Sequence, residues 1–338
     1  MKNIFIYVSD ALRYDHVPKS IGEEGDVIPT LAPAGYTPIS FSSLLTGLEP
    51  RKHGVRSFHD RLEEETGMDL FRNHCYYDHP DGPMAKNVME SYSGQEELGE
   101  IEQPFIHVER ALDTHEPYAQ IGHGNELPEE PDRSGEQEER YRGGVRSTEE
   151  HFWSHVQELK ERGIYEDTLI IFTSDHGEFL GENRLFRERN AHNKPMHREL
   201  LQVPTVFLNH DTDWDRMRTT DIMPTALSIA GKEKVGEGKD LTSEEPPEKG
   251  YTMLQVNTSP LVVTGCEWNW NGEDWERGRG GLRTDLATVA LDLIDPVRSR
   301  LRHTKLADLM RPDSGVDLGR FNEEKRDEEP EELEDLDV

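Results

Sequence analysis

The sequence is short of positive charge and of long apolar runs. It has 338 residues, with 38 lysines and arginines against 69 aspartates and glutamates, so its net charge is −31. Hydrophobic residues make up only 33% of the chain. No basic stripe is present to neutralise phosphates, which argues against a nucleic-acid partner. No apolar run reaches about 18 residues, so the sequence predicts no transmembrane helix and no membrane insertion.

Cysteine is also scarce. The two cysteines, Cys75 and Cys266, are far apart and fit no metal-binding spacing. They predict neither a disulfide framework nor a zinc site. The opening segment MKNIFIYVSD runs directly into strand-like sequence without a cleavage site, so we expect no signal peptide. A cytoplasmic protein is the expectation that follows.

The excess of acidic residues is typical of a surface adapted to high salt. Such a surface repels itself in dilute salt and is tolerated where ions screen its charges. We therefore interpret the chain as a halophilic protein from an organism with a salty cytoplasm. The alternative is an ordinary acidic protein with a charged tail. Residues 322–338 are strongly acidic and are predicted to be disordered.

Strand-like and helix-like segments alternate through most of the chain. Apolar runs of strand length occur at residues 3–10, 104–110, 168–173 and 200–209. Helical patterns occur at residues 39–50, 147–163 and 219–231. The second pattern has Phe152, Val156 and Leu159 on one face and Gly163 at the position of a C-terminal cap. This alternation predicts an α/β fold with a mostly parallel central sheet sandwiched by helices.

The character of the sequence changes near residue 245. Residues 1–245 are predicted to form one α/β domain. Short strand-like runs predict a small strand-containing C-terminal subdomain over residues 250–320, with a helix near 285–306. Residues 322–338 follow as the acidic tail.

Two predicted strands end in a carboxylate. Asp10 follows the first strand, and Asp175 follows the strand TLIIFT with His176 directly after it. Sites in parallel α/β sheets form outside the carboxyl ends of the strands. Carboxylates and an imidazole that converge there suit a divalent cation. The simpler interpretation is that each aspartate is only a helix N-cap.

Thr37 precedes a predicted helix. A hydroxyl at a helix N-terminus lies where backbone N–H groups and the helix dipole favour an anion. A metal ion beside it can lower the hydroxyl pKa and make it a nucleophile. The simpler interpretation is a threonine cap.

Six segments in order resemble the sulfatase-like branch of the alkaline phosphatase superfamily, and together they cover residues 1–245. They are VSDALRYD, TPISFSSLLTG, LDTHEPY, LIIFTSDHGEFLGE, AHNKPMHRELLQVPTVF and TTDIMPTALSIAG. In the second segment the family nucleophile lies ten residues before the glycine, which is Thr37 here. The third resembles the family's His-x-Pro-His/Tyr element.

The resemblance implies a set of site residues. The metal shell is then Asp10, Thr37, Asp175 and His176, around a divalent ion that is Ca, Mg, Mn or Zn. His115 and His192 take the places of histidines that contact the substrate or its leaving group. Two-metal relatives carry Asp-x-x-x-His for a second metal, whereas Asp113 and His115 are only two residues apart. This departure argues against a second metal.

A second departure bears on the reaction. Family sulfatases convert a Cys or Ser to formylglycine, and Thr37 cannot become that aldehyde. Phe41 also stands where the family has an arginine. We therefore expect a metal-dependent hydrolase of phosphate or sulfate esters, with phosphorus esters favoured and a small-molecule or glycan ester as substrate. The alternatives are a soluble transferase that moves a phospho or sulfo group onto a glycan, and a degenerate binding module.

Overall fold

The computed structural model describes residues 1–94, 96–118, 137–180, 197–256 and 262–278. The chain divides into two units, Met1–Thr288 and Val289–Val338, and every described residue belongs to the first. The predicted helix near 285–306 and the acidic tail lie outside the described residues.

A mixed sheet of eight strands forms the centre of the molecule. In chain order the strands are β1 (Asn3–Ser9), β2 (Ile28–Leu31), β3 (Asn73–Tyr77), β4 (Ser93–Gly94), β5 (Phe105–Ala111), β6 (Thr168–Thr173), β7 (Gln202–Leu208) and β8 (Met217–Arg218). Across the sheet their order is β4-β3-β5-β1-β6-β7-β2-β8. Of these strands, seven run in one direction and β7 runs against them. The predicted mostly parallel sheet is confirmed.

The apolar run of β1 is explained by burial on both faces. Successive side chains of a strand point to opposite faces, so alternate residues enter different cores. Ile4, Ile6 and Val8 pack in one cluster, whereas Phe5 and Tyr7 pack in the other. Both faces of the sheet are therefore covered, as in other parallel sheets.

Three long helices cover these faces, and three single turns connect other elements. The helices are α1 (Lys19–Gly22), α2 (Thr37–Thr46), α3 (Pro50–His53), α4 (Gln137–Glu161), α5 (Arg198–Leu201) and α6 (Thr219–Ile229). Helices α2 and α6 contribute to the first core cluster, for example through Phe41 and Ile222. Helix α4 packs on the other face through Phe152, Val156 and Leu159, the face predicted from the sequence.

Several boundaries differ from the prediction. Helix α2 begins at Thr37, two residues earlier than predicted, and α4 begins ten residues earlier than predicted. The predicted strand at 200–209 starts with the last turn of α5 and continues as β7. The cap at Gly163 is confirmed, because this residue has a φ of 68° and its N–H donates to the Lys160 carbonyl (3.0 Å).

A small antiparallel sheet follows the main one. Its strands are β9 (Lys249–Val256), β10 (Val262–Trp270) and β11 (Trp275–Arg277), in the order β11-β10-β9. Trp275 is buried, and its Nε1 donates to the Pro29 carbonyl (3.1 Å). The Met253 N–H donates to the Pro33 carbonyl (2.6 Å), four residues before Thr37. The predicted strand-containing segment is confirmed, while the limits of the domains stay a prediction.

Candidate active site

Three side chains of types that can bind a metal ion meet where two neighbouring parallel strands end. Asp10 directly follows β1, and Asp175 and His176 lie just beyond β6, which pairs with β1. One ligand atom from each residue lies within 4.8 Å of the other two, and all three side chains are buried. The fold therefore brings together residues that the sequence analysis placed at separate strand ends.

Hydrogen bonds orient these side chains toward one another. The Nδ1–H of His176 donates to the Gly177 carbonyl (2.9 Å), which leaves Nε2 as an acceptor. This Nε2 lies 3.5 Å from Asp175 Oδ2 and 3.7 Å from Asp10 Oδ1. Asp175 Oδ1 accepts hydrogen bonds from the backbone N–H groups of His176 (2.9 Å) and Ala11 (3.2 Å). Three acceptor atoms thus face a common point.

Close backbone packing explains the glycine after His176. A Cβ at Gly177 would lie 2.0 Å from the Glu199 carbonyl oxygen, so no side chain fits there. The Gly177 N–H donates to the Leu200 carbonyl (2.8 Å), which holds this turn against α5. The glycine is therefore required by the approach of a neighbouring segment that fixes the His176 backbone.

Helix α2 brings a hydroxyl to the same place. Thr37 is the first helical residue, preceded by Tyr36 in an extended conformation, and only 2% of Thr37 is exposed. Its Oγ1 lies 3.2 Å from His176 Nε2 and 3.4 Å from Asp10 Oδ2. The positive end of the α2 dipole lies at the same point, which favours negative charge there.

The donor set fits a divalent cation. Two carboxylates and an unprotonated imidazole nitrogen are suitable ligands for such an ion. Asp175 Oδ2 is buried and accepts no hydrogen bond within the described part of the chain. Burial, and then the negative charge of Asp10, raise the pKa of Asp175. A cation between these acceptors offsets their mutual repulsion.

Sequence reasoning missed two further charged residues at this edge. Arg110 lies in β5 and Asp78 directly follows β3, and both are buried. Arg110 forms ion pairs with Asp10 Oδ2 (2.5 Å) and Asp78 Oδ2 (3.1 Å). Burial alone lowers the pKa of Arg110, but Asp78 and then Asp10 raise it well above its usual value. These two residues meet because β3 lies beside β5. The sequence analysis did not predict β3, so it could not place Asp78 next to Arg110.

Buried hydroxyl groups support the backbone at Asp10. Thr114 Oγ1 donates to the Asp10 carbonyl (2.6 Å) and lies 2.7 Å from Ser9 Oγ. Ser9 Oγ in turn lies 3.0 Å from Thr148 Oγ1 in α4. This chain of contacts ties the carboxyl end of β1 to the segment after β5 and to α4.

The predicted histidines have different positions. His115 follows β5 at the same edge of the sheet but does not belong to the Asp10, Asp175 and His176 group. Its Nδ1–H donates to the Glu116 carbonyl (2.7 Å). His192 lies outside the described residues. The roles of His115 and His192 therefore stay predictions.

The comparison with known families matches this architecture. The Sulfatase family profile covers residues 13–232 of the chain. The chain belongs to the sulfatase family. This membership agrees with the resemblance read from the sequence and with the mixed sheet described above.

Individual relatives of this sulfatase-family chain extend the comparison. The low-salt glycan biosynthesis sulfotransferase Agl7 of Haloferax volcanii is 33% identical over 324 residues, covering 86% of this chain and 78% of the relative. A solved 2-O GAG sulfatase has a TM-score of 0.57 at 14% identity, over 88% of this chain and 92% of its own. The phosphonate monoester hydrolase of Agrobacterium radiobacter has a TM-score of 0.56 at 12% identity, over 92% and 96%.

Hydrolases and a transferase both occur among these relatives of the chain. The two solved structures are too distant in sequence to support more than a shared fold. None of the helices among the described residues combines the length and apolar character needed to cross a membrane.

Proposed function

We propose that this protein is a cation-dependent enzyme that transfers a sulfo group from a sulfate ester to a glycan hydroxyl, with Thr37 as the nucleophile. The observation that carries the proposal is the buried Thr37 hydroxyl beside His176 Nε2 and Asp10 Oδ2. The similarity to a glycan sulfotransferase supports the choice of sulfur and of a glycan acceptor.

The residue type at position 37 also supports transfer. A formylglycine hydrate can release sulfate by elimination from its second hydroxyl. A sulfate ester on Thr37 has no second hydroxyl, so it is released only when another nucleophile attacks the sulfur. An acceptor hydroxyl can be that nucleophile, and this completes a transfer.

Each residue then has a defined task. Asp10, Asp175 and His176 would hold one divalent cation, which would supply positive charge for the ester oxygen and for ionised Thr37. The positive end of the α2 dipole favours the same negative charge. Thr37 Oγ1 is held in a single place by burial, so little ordering is needed before attack.

The proposed reaction consists of two successive displacements at the sulfur atom. Thr37 Oγ1 forms a bond to sulfur while the bond from sulfur to the donor oxygen breaks, and His115 gives a proton to that leaving oxygen. The acceptor hydroxyl then loses its proton to His115 and bonds to sulfur. The bond between sulfur and Thr37 Oγ1 breaks, and Thr37 Oγ1 takes from solvent a proton that replaces the one it released to solvent before its attack.

Hydrolysis of a phosphorus ester is the second candidate. Thr37 favours it, since water can attack the phosphorus of a Thr37 phosphoester directly. The same cation site and the same first displacement serve this reaction. The two candidates therefore differ in the atom transferred and in the nucleophile of the second step.

The experiment supplies an aryl sulfate, an aryl phosphate and an aryl phosphodiester, each with Mg²⁺, Ca²⁺, Mn²⁺ or Zn²⁺ in molar KCl. Parallel reactions include or omit an oligosaccharide acceptor, and mass spectrometry identifies the products. We expect a sulfated oligosaccharide, with aryl release that increases when the acceptor is present. Inorganic phosphate formed without an acceptor would instead favour the second candidate.

Two substitutions at position 37 test the nucleophile. Thr37→Ala should abolish aryl release, whereas Thr37→Ser keeps a hydroxyl and should retain part of it. Mass spectrometry of the wild type, quenched without acceptor, should find the added group on the peptide that contains Thr37. Full activity in Thr37→Ala would contradict the assignment.

A further inference from the structure

Arg110 binds Asp10 through its oxygen Oδ2. The Arg110 residue is 6% exposed, and its Nε and Nη2 lie 2.7 Å and 2.5 Å from Asp10 Oδ2. The other oxygen, Oδ1, is the one that faces His176 Nε2 at 3.7 Å. Two charged N–H donors on Oδ2 thus fix which Asp10 oxygen faces the cation site.

Asp78 fixes Arg110 from the other side. Its two oxygens lie 3.3 Å and 3.1 Å from Arg110 Nη1. Asp78 also accepts hydrogen bonds from the Tyr76 hydroxyl (2.9 Å) and the His79 backbone N–H (2.7 Å). The end of β3 therefore anchors the guanidinium, and a planar guanidinium bridges two carboxylates in a way that lysine cannot.

The charges of this cluster balance one divalent cation. Among the described residues of this cluster, Asp10, Asp78 and Asp175 supply three negative charges when ionised, and Arg110 supplies one positive charge. The difference of two negative charges is the value that a single divalent ion neutralises. Buried charge is tolerated only when it is compensated, so a divalent ion would offset this surplus of negative charge.

We infer that Arg110, held by Asp78, is a positioning residue that keeps Asp10 as a one-oxygen ligand and sets the cation site for one divalent ion. The inference rests on the proposed function, because it assigns Arg110 to the same cation site. Arg110 acts through Asp10 rather than on the substrate.

The loss of Arg110 should change cation affinity and turnover in opposite directions. Asp10 could then use both oxygens, and the site would gain one negative charge, so a cation should bind more tightly. A cation held by more negative charge is a poorer acceptor for the ester and for ionised Thr37. Turnover should therefore fall although binding improves.

The experiment measures the affinity for Mn²⁺ alone by calorimetry in molar KCl, together with aryl sulfate turnover. For Arg110→Met we expect binding about tenfold tighter and turnover about 100-fold lower. For Asp78→Asn, which leaves a surplus positive charge, we expect binding about tenfold weaker. Arg110→Lys keeps the charge and should bind Mn²⁺ like the wild type.

Two further variants serve as controls. The double variant Arg110→Met with Asp78→Asn keeps the net charge, so it should fold and bind Mn²⁺ like the wild type. It should still turn over slowly, because Asp10 is no longer held with Oδ1 toward the cation site. Arg142→Met removes an arginine whose side chain is 60% exposed and should change neither quantity. The double variant keeps the inference testable even if Arg110→Met does not fold.

The inference requires that Mn²⁺ affinity rises in Arg110→Met and falls in Asp78→Asn. Weaker Mn²⁺ binding in both Arg110→Met and Asp78→Asn would overturn the inference, since a merely structural role moves both in one direction. Wild-type turnover in the double variant would also overturn it. The affinities need no turnover, so a wild type that binds Mn²⁺ but transfers nothing would count against the proposed function alone.

Discussion

At the scale of single residues, an unusual backbone conformation lies next to the candidate ligands. Ala11, directly after Asp10, has a φ of 65°, a conformation that residues with a side chain seldom adopt. This conformation aims the Ala11 N–H at Asp175 Oδ1 (3.2 Å), and the Ala11 carbonyl accepts from the Tyr141 hydroxyl (2.9 Å). The strained turn thus joins the ends of β1 and β6.

Substitutions at position 11 test this strain. Ala11→Gly relieves the backbone but loses a buried methyl group, so the free energy of unfolding should change by less than about 1 kcal/mol. Ala11→Val should lower it by about 3 kcal/mol, because a β-branched side chain strongly opposes positive φ. Denaturant unfolding measures both variants.

A control separates strain from crowding. Ala111 is equally buried but lies in the extended strand β5. Ala111→Val therefore suffers crowding without the penalty of positive φ. Equal losses in Ala11→Val and Ala111→Val would contradict the importance of the Ala11 backbone.

At the scale of secondary-structure elements, the sequence predicted what periodicity and strand ends reveal. The long apolar strands β1, β5 and β6 were predicted, and so were Asp10, Asp175 and His176 at their ends. β3 was missed, because its five residues NHCYY carry no continuous apolar run. The contact between Arg110 and Asp78 was missed for the same reason, because it forms only when β3 lies beside β5. The reversed direction of β7 is a matter of tertiary packing that no local pattern encodes.

The contact between α4 and β5 should respond to pH. His155 of α4 lies 2.9 Å from Glu109 Oε2 of β5 and 3.7 Å from Glu158 Oε2. Burial lowers the pKa of His155, but Glu109 and then Glu158 raise it from 6.5 to about 10. The nearby imidazoles of His107 and His151 also act on this cluster.

The sign of the effect follows from linkage. The folded-state pKa of His155 lies above its unfolded value, so its contribution to stability is complete below pH 6.5 and is lost as the pH rises to about 10. We compare the melting temperatures of wild type and His155→Gln across this range. The difference should be largest near the acidic end and should shrink toward the alkaline end. A difference that grows with pH would contradict the ion pair.

At the scale of the whole molecule, the dominant feature is the net charge of −31. The folded chain also buries three aspartates, Asp10, Asp78 and Asp175, close to one another. The repulsion among surface carboxylates therefore adds to the repulsion among these buried ones. Coulomb repulsion of this kind opposes the compact state and is screened by salt. Salt should therefore raise the stability of the folded chain by screening its surface charges.

The final prediction concerns salt and the acidic tail. The melting temperature should rise steadily as KCl increases from about 0.1 M toward molar concentrations, over which the screening length falls from about 10 Å to 3 Å. Residues 322–338 contain ten acidic and two basic residues, so their deletion leaves a net charge of −23. Because most of the charge remains, the deletion variant should keep most of the salt dependence. A melting temperature independent of KCl in the full chain would contradict the interpretation as a halophilic surface, and salt dependence that disappears with the tail would favour an ordinary acidic protein with a charged tail.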